Sequence, residues 1–316
     1  MIQDPVIILR EICSVLLIII LQPILELTLL LVPILSMMLD PNNFFPWLFP
    51  VLVFCFGVII GSFFNVVILR YGTGLSFIKG NSKCFSCSHR LMWYDLVPLF
   101  SFIFLKGRCR YCKSKISFQY PIVEMISGLI FLFLYFHIFW QNPIFFVFDA
   151  SIFSLLLIIA VYDFRHKIIP DGLVYSFIII SLIRILYSIG FNHVLSFPFY
   201  LDILSGPVLF LFFYILWAIS SGRWIGFGDA KLALGLGWFL GLFSGISAII
   251  LSFWIGAAFS LLVILFGKLN LLSKKLTIKS EIPFAPFIII AVFVEYFFRF
   301  DFFHLQDLFR YFFLIF

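Results

Sequence analysis

The sequence predicts an all-α polytopic membrane protein with about eight core transmembrane helices, a candidate for one extra helix ahead of them, and a small cysteine-bearing module inserted between helices. Three observations lead there. Of the 316 residues, 64% are hydrophobic and 11% charged, with a mean hydropathy of +1.18, which a water-soluble core does not require. Apolar runs long enough to cross a bilayer, about 20 residues each, recur along the chain. Between them the Lys and Arg residues fall on every second connection. The 47 Phe residues are read as lipid-facing filler and support no cofactor inference.

Hydropathy places spans near 14–39, 46–69, 122–140, 144–162, 172–190, 200–221, 231–246, 247–267 and 284–300. Gln22, Pro23, Glu26 and Pro33 interrupt the first of these. Residues 1–45 are therefore read in one of two ways: as an extra helix with Arg10 on the cytoplasmic side, or as sequence ahead of a start near Met37 or Met38. No cleavable signal pattern stands out, because the run is too long and lacks a small-residue cleavage site.

Basic loops stay on the cytoplasmic side of a membrane, which orients the chain. Arg70, Lys79, Lys83, Arg90, Lys106, Arg108, Arg110, Lys113 and Lys115 share one long loop. Counting two spans at a time, the same side receives Arg165 and Lys167, then Arg223 and Lys231, then Lys268, Lys274, Lys275 and Lys279. Seventeen of the 21 basic residues thus lie on one face, while 141–143 and 190–198 contain none. The net charge of +6 is a topology signal and excludes a nucleic-acid footprint.

Between Tyr71 and Tyr120 the hydropathy collapses, and Cys84-x-x-Cys87 is followed 22 positions later by Cys109-x-x-Cys112. Each pair forms a tight knuckle aiming two thiolates at one tetrahedral metal ion, which for four cysteines is zinc. A pair of disulfides is the alternative, and a reducing cytoplasmic loop disfavours it. Four thiolates leave no open position for a catalytic water, so the zinc is structural, holding a module of roughly 50 residues that has little core of its own. His89 lies close enough in sequence to compete as a ligand, but four cysteines make it unnecessary. Cys13 and Cys55 sit in apolar stretches and are expected to be buried, inert thiols.

Asp163-Phe-Arg-His-Lys-Ile-Ile-Pro-Asp171 ends one span, and Gly226-Phe-Gly-Asp229-Ala-Lys231 begins another, on the same predicted face. Carboxylates near bilayer depth are costly and tend to be kept where they act. Two that share a site cannot both ionise easily, so one holds a proton while the other activates water. Gly226 and Gly228 permit close backbone approach, and Pro170 predicts a turn at the membrane surface. From spacing alone, interfacial charges paired with Arg165, Lys167 or Lys231 are an equal reading.

These residues resemble the hallmark set of the type IV prepilin peptidases, the prepilin leader peptidase and N-methyltransferase family of GxGD membrane aspartyl proteases. Gly57-x-x-x-Gly61-Ser-Phe-Phe-Asn65-Val-Val-Ile-Leu-Arg70 is similar to the family's first span. Trp93-Tyr-Asp-Leu-Val-Pro98, Gly107-Arg-Cys109-Arg-Tyr-Cys112 and Tyr120-Pro-Ile-Val-Glu124 are similar to its zinc-loop signature, and Gly226-Phe-Gly-Asp229 to its GxGD element. The match covers about residues 46–300 in the family's order.

The resemblance implies an enzyme of the bacterial inner membrane. It would cut type IV prepilins or pseudopilins after the glycine ending a basic leader, on the cytoplasmic face, and then methylate the new amino terminus, usually Phe, with S-adenosylmethionine. It assigns Asp163 and Asp229 as the catalytic pair, with Asp171 as runner-up for the first, and Gly226, Gly228 and Lys231 in support. Where the family carries a Gly-Lys pair before the third zinc cysteine, this chain has Gly107 and Arg108, which keeps the charge and changes its geometry. Glu124 is a candidate second contributor to methyl transfer, or else a carboxylate capping a helix start. The implied division is 1–45 as extension, 46–70 as first core helix, 71–121 as zinc and methyltransferase-associated loop, and 122–316 as protease domain. A peptidase without methylation is the nearest alternative, followed by a transporter or a scaffold. Partners are prepilins and the lipid bilayer; the oligomeric state is left open. Gly57-x-x-x-Gly61 is also a small-residue helix-packing motif, and Arg184, inside a span, is expected to snorkel or to pair within the bundle.

Overall fold

The computed structural model describes residues 48–189, 199–268 and 283–298. These residues form nine helices: α1 Leu48–Arg70, α2 Phe100–Phe104, α3 Gln119–Leu134, α4 Pro143–His166, α5 Asp171–Ile189, α6 Phe199–Ser220, α7 Phe227–Leu240, α8 Leu242–Lys268 and α9 Ala285–Phe298. A π-helical turn, Tyr135–Phe139, extends α3. Extended pairing among the described residues is confined to two isolated bridges, Lys83 with Arg90 and Arg108 with Lys115. The predicted span 14–39 and the basic residues 274–279 lie outside the described residues.

Among the described residues six helices are long and apolar enough to cross a membrane: α1, α3 with its extension, α4, α5, α6 and α8. Helices α7 and α9 have 14 residues each, about 21 Å at 1.5 Å per residue, short of a hydrocarbon core of about 30 Å. The predicted boundary between the spans at 231–246 and 247–267 is corrected. The break falls at Gly241, whose φ of +83° ends α7 and lets α8 start at once. Hydropathy cannot see it, because apolar side chains continue on both sides while only the backbone changes direction.

The chain divides inside α4, between Ile158 and Ile159, into two units. In the unit holding α1 to α3, small residues set the packing distance. A Cβ on Gly57 would stand 2.9 Å from the Gly128 Cα, and one on Gly61 would stand 2.8 Å from the Glu124 Cα. The helices therefore meet backbone to backbone, and the Ser127 hydroxyl donates to the Gly57 carbonyl at 2.7 Å. Gly57-x-x-x-Gly61 is thus a packing device. At the end of this unit Asn142 starts α4, its side-chain oxygen accepting the amides of Ile144 and Phe145, with Pro143 at the first helical position.

The other unit is organised around α7. Its core gathers Leu209 and Phe213 of α6, Ala230 and Ala233 of α7 and Ile249 of α8. Pro207 inside α6 has no amide to offer the Ile203 carbonyl one turn back. The Trp238 indole N–H of α7 fills that vacancy at 2.9 Å, and the Ser205 hydroxyl donates to the Gly237 carbonyl at 2.7 Å. Arg184 pairs within the bundle, as one reading of the sequence held: it donates to the Phe239 carbonyl near the end of α7 and lies 5.0 Å over the Phe239 ring. A cation there complements the negative end of the helix dipole. Cys55, expected buried, is exposed on α1; on a bilayer-crossing helix, lipid takes the place of a protein interior around an apolar residue.

Candidate active site and metal centre

The sulfur atoms of Cys84, Cys87, Cys109 and Cys112 all lie within 4.8 Å of one another. The Cys84 to Cys112 separation is 3.8 Å, the edge of a tetrahedron with metal–sulfur bonds of about 2.3 Å. Both knuckles are built alike. The Ser88 amide bonds back to the Cys84 carbonyl, the Cys84 amide to His89, and the Lys83–Arg90 bridge closes the base. Likewise the Lys113 amide bonds to Cys109, the Cys109 amide to Ser114, and Arg108 bridges Lys115. Each turn is completed by a non-glycine residue in the left-handed region, Ser88 and Lys113, at φ of 55° and 59°. The backbone amide of Cys87 is the main cause that brings the Cys84 thiol down to about 6, and the Ser114 hydroxyl lowers Cys112. Both effects favour the thiolates a metal needs, whereas Cys87, against the lowering effect of the His89 amide, is pushed up to about 11 by burial and by the neighbouring Cys84 and Cys112 sulfurs, since crowded thiols resist ionising together. The His89 ring stacks on Tyr111 at 3.7 Å.

Asp95 is a residue that the sequence reading passed over, although it sits in the Trp93-Tyr-Asp element. It is the hub of the module. Its carboxylate takes the Arg110 guanidinium at 2.6 Å, the Tyr111 hydroxyl at 3.3 Å and the Met92 amide at 3.2 Å. Against the opposing effect of burial, Arg110 holds the Asp95 carboxyl below the usual carboxylate range. Arg110 and Tyr111 are the two residues between Cys109 and Cys112, so the turn at Trp93–Asp95 is bolted to the second knuckle. A lone acid among eight Lys and Arg in residues 71–121 was the available signal.

Glu124 is buried in α3, where Oε2 accepts the Leu99 amide at 2.8 Å and the Ser62 hydroxyl also donates to it. Leu99 precedes α2, at φ 59°. Glu124 thus ties the loop to the span and serves the start of α2, not of its own helix. Gly107, at φ 67°, lies against the Phe102 ring, and Arg108 is exposed beside it.

Asp163 and Asp229 come together in the other unit. They are 5% and 6% exposed, and Asp163 is near enough to act electrostatically on Asp229. Each carboxylate meets the amino terminus of a helix, Asp229 that of its own and Asp163 that of α9, where the dipole favours an acid. Asp229 is in the first turn of α7, its Oδ2 accepting the Gly226 amide at 3.2 Å. Asp163, in the last turn of α4, accepts the backbone amide of Ala285, the first residue of α9. Asp229 Oδ1 is buried without a protein partner.

Asp171 is placed differently. It is exposed and accepts the Lys231 ammonium at 2.7 Å, and that ammonium also lies over the rings of Tyr175 and Phe227 at 5.3 and 5.0 Å. Gly228 is needed for space: a Cβ there would stand 2.8 Å from the Ile169 Cβ, in the turn between Asp163 and Asp171. Gly226, with φ −73°, is not conformationally special, and a Cβ would meet Asp229 Oδ2 at 3.4 Å. Pro170 stands in the turn between α4 and α5, as read from the sequence.

Residues 55–138 match the Bacterial Peptidase A24 N-terminal domain, and residues 150–261 match the Type IV leader peptidase family. A prepilin leader peptidase/N-methyltransferase from Bacillus subtilis is 32% identical over 239 residues, spanning 74% of this chain and 88% of that protein. One from Klebsiella pneumoniae is 31% identical over 204 residues, 62% of this chain and 87% of that protein. One from Myxococcus xanthus is 34% identical over 205 residues, 63% of this chain and 58% of that protein. No solved structure matches the chain. With both motif-bearing segments matched and most of a relative's length aligned, the chain belongs to the type IV leader peptidase family.

Proposed function

We propose that this chain is a bifunctional prepilin peptidase of the bacterial inner membrane. It cleaves type IV prepilins or pseudopilins after the glycine that ends their basic leader, on the cytoplasmic face, and N-methylates the new terminal residue, usually Phe. The observation that carries the proteolytic half is the burial of Asp163 beside Asp229, with Asp229 Oδ1 left unpartnered. Two adjacent buried carboxyls share a proton. One polarises the scissile carbonyl while the other takes a proton from water. Asp171 is held by Lys231 and takes the supporting role.

Within this reading residues 46–70 are the first core helix, 71–121 the methyltransferase-associated loop and 122–316 the membrane protease domain, the short helices α7 and α9 joining the six of bilayer length in the core. The four thiolates fit zinc as a closed structural site. S-adenosylmethionine, when bound, supplies the methyl group. Arg108, exposed and next to Gly107, offers a cation for an amino-acid carboxylate, and Glu124 holds the adjoining helix α2. A peptidase-only reading keeps support from Arg108, which stands where the family resemblance places Lys. Incubating the purified protein with a synthetic prepilin, with and without S-adenosylmethionine, scores both steps. Cleavage with a methylated product is expected; cleavage alone selects the second reading, and an intact precursor refutes both.

A further inference from the structure

We propose that α2 is an interfacial anchor whose apolar face lies in the lipid of the leaflet surrounding the amino-terminal end of α3. Phe100, Ile103 and Phe104 are 61%, 68% and 79% exposed. At spacings i, i+3 and i+4 they form one face of the helix. A helix of five residues is not stable in water by itself, and three large apolar side chains on it call for an apolar partner.

The attachment of α2 sets its depth. The Leu99 amide just before it is bonded to Glu124, five residues into the span that begins at Gln119. Three residues along, the Phe102 ring packs on Phe118, at the entrance of the same span, with centroids 5.4 Å apart. Helix α2 therefore lies alongside the first turns of a helix long and apolar enough to cross a membrane, where lipid would be the surrounding medium.

Charge supports the same occupant. Lys106 stands two residues beyond the end of α2, Arg108, Lys113 and Lys115 are exposed, and Asp95 is the sole carboxylate against eight Lys and Arg in residues 71–121. An apolar face flanked by cations suits an anionic leaflet. The exposed Trp93, 77% accessible, adds an aromatic of the kind enriched at interfaces. The anchor would hold the metal module against the membrane.

The test places the photoreactive p-benzoyl-phenylalanine at Phe104, at Ile103 and, as a control, at Phe85 in the full chain. Phe85 is 81% exposed but belongs to the first metal knuckle. The protein is reconstituted in vesicles of phosphatidylethanolamine and phosphatidylglycerol, irradiated, and analysed by mass spectrometry. Acyl-chain adducts are expected at Phe104 and Ile103 at several times the Phe85 yield, and fewer adducts in phosphatidylcholine alone. Equal yields at all three positions would overturn the proposal. So would adducts confined to protein, whether to a second copy or to this chain's own residues 1–47. The readout does not depend on cleavage or methylation.

Discussion

Lys231 Nζ stands 2.7 Å from Asp171 Oδ1, and this ion pair separates the three acids that the sequence groups together. With Asp171 engaged by a cation at the surface, Asp163 and Asp229 remain as the buried pair. Asp163→Asn and Asp229→Asn are each expected to lower prepilin cleavage by about 10²–10⁴-fold, the usual contribution of an acid–base group. Asp171→Asn should retain cleavage within a few-fold. Precursor and mature lengths on a gel decide it, and a reversed order would move the dyad to Asp171.

The four-cysteine cluster makes a prediction about folding. Cys109 is the buried member of the four. Cys109→Ser should lose the bound metal, measured by elemental analysis, and render residues 71–121 sensitive to protease, because metal binding and folding of such a module are one equilibrium. Cleavage by the dyad should decline less than methylation. An undiminished metal content would show that the four thiolates are not the ligands.

Glu124 tests how the loop meets its span. Glu124→Ala leaves the Leu99 amide without its acceptor, at a cost of about 1–3 kcal/mol for a buried unsatisfied group, and should depress methylation more than cleavage. Glu124→Gln keeps an acceptor and should restore most of the ratio if the role is positional. Equal loss in both variants would indicate that the charge itself is used.

The proline in α6 supplies a double-mutant test. Trp238→Phe removes the donor from the Ile203 carbonyl and should destabilise the protein by about 1 kcal/mol. Adding Pro207→Ala restores a backbone amide at that carbonyl and should recover part of the loss. Thermal unfolding in detergent reads both changes, and additive losses would refute the compensation.

Gly228 tests the packing of the turn that follows Asp163. Gly228→Ala places a Cβ 2.8 Å from the Ile169 Cβ and should push the turn between Asp163 and Asp171 away, reducing cleavage well beyond its effect on stability. Ile169→Ala in the same chain should return part of the activity. A Gly228→Ala enzyme with normal turnover would show that the approach has slack.

Most of the helices were legible because a bilayer imposes a length and an apolarity on whatever crosses it, and α1 and α3 to α6 lie within a few residues of the expected spans. The boundary between α7 and α8 was not, since Gly241 changes backbone direction inside unbroken apolar sequence. The four-cysteine cluster was legible from spacing, whereas Asp95 was not, because its partners Arg110 and Tyr111 are distant in sequence and adjacent only after the knuckle has folded.

By itself the sequence determined that this chain is helical and membrane-bound, that four cysteines pair into knuckles able to share one metal ion, and that three acids fall near two helix ends. These follow from periodicity, composition and local spacing, which neighbouring residues encode. Only the tertiary structure decided which acids meet. It set Asp163 beside Asp229 through the amino termini of α7 and α9, gave Asp171 to Lys231, and turned Gly57 and Gly61 into a contact surface for α3. Those outcomes depend on contacts between remote segments, and a linear pattern carries no distance across space.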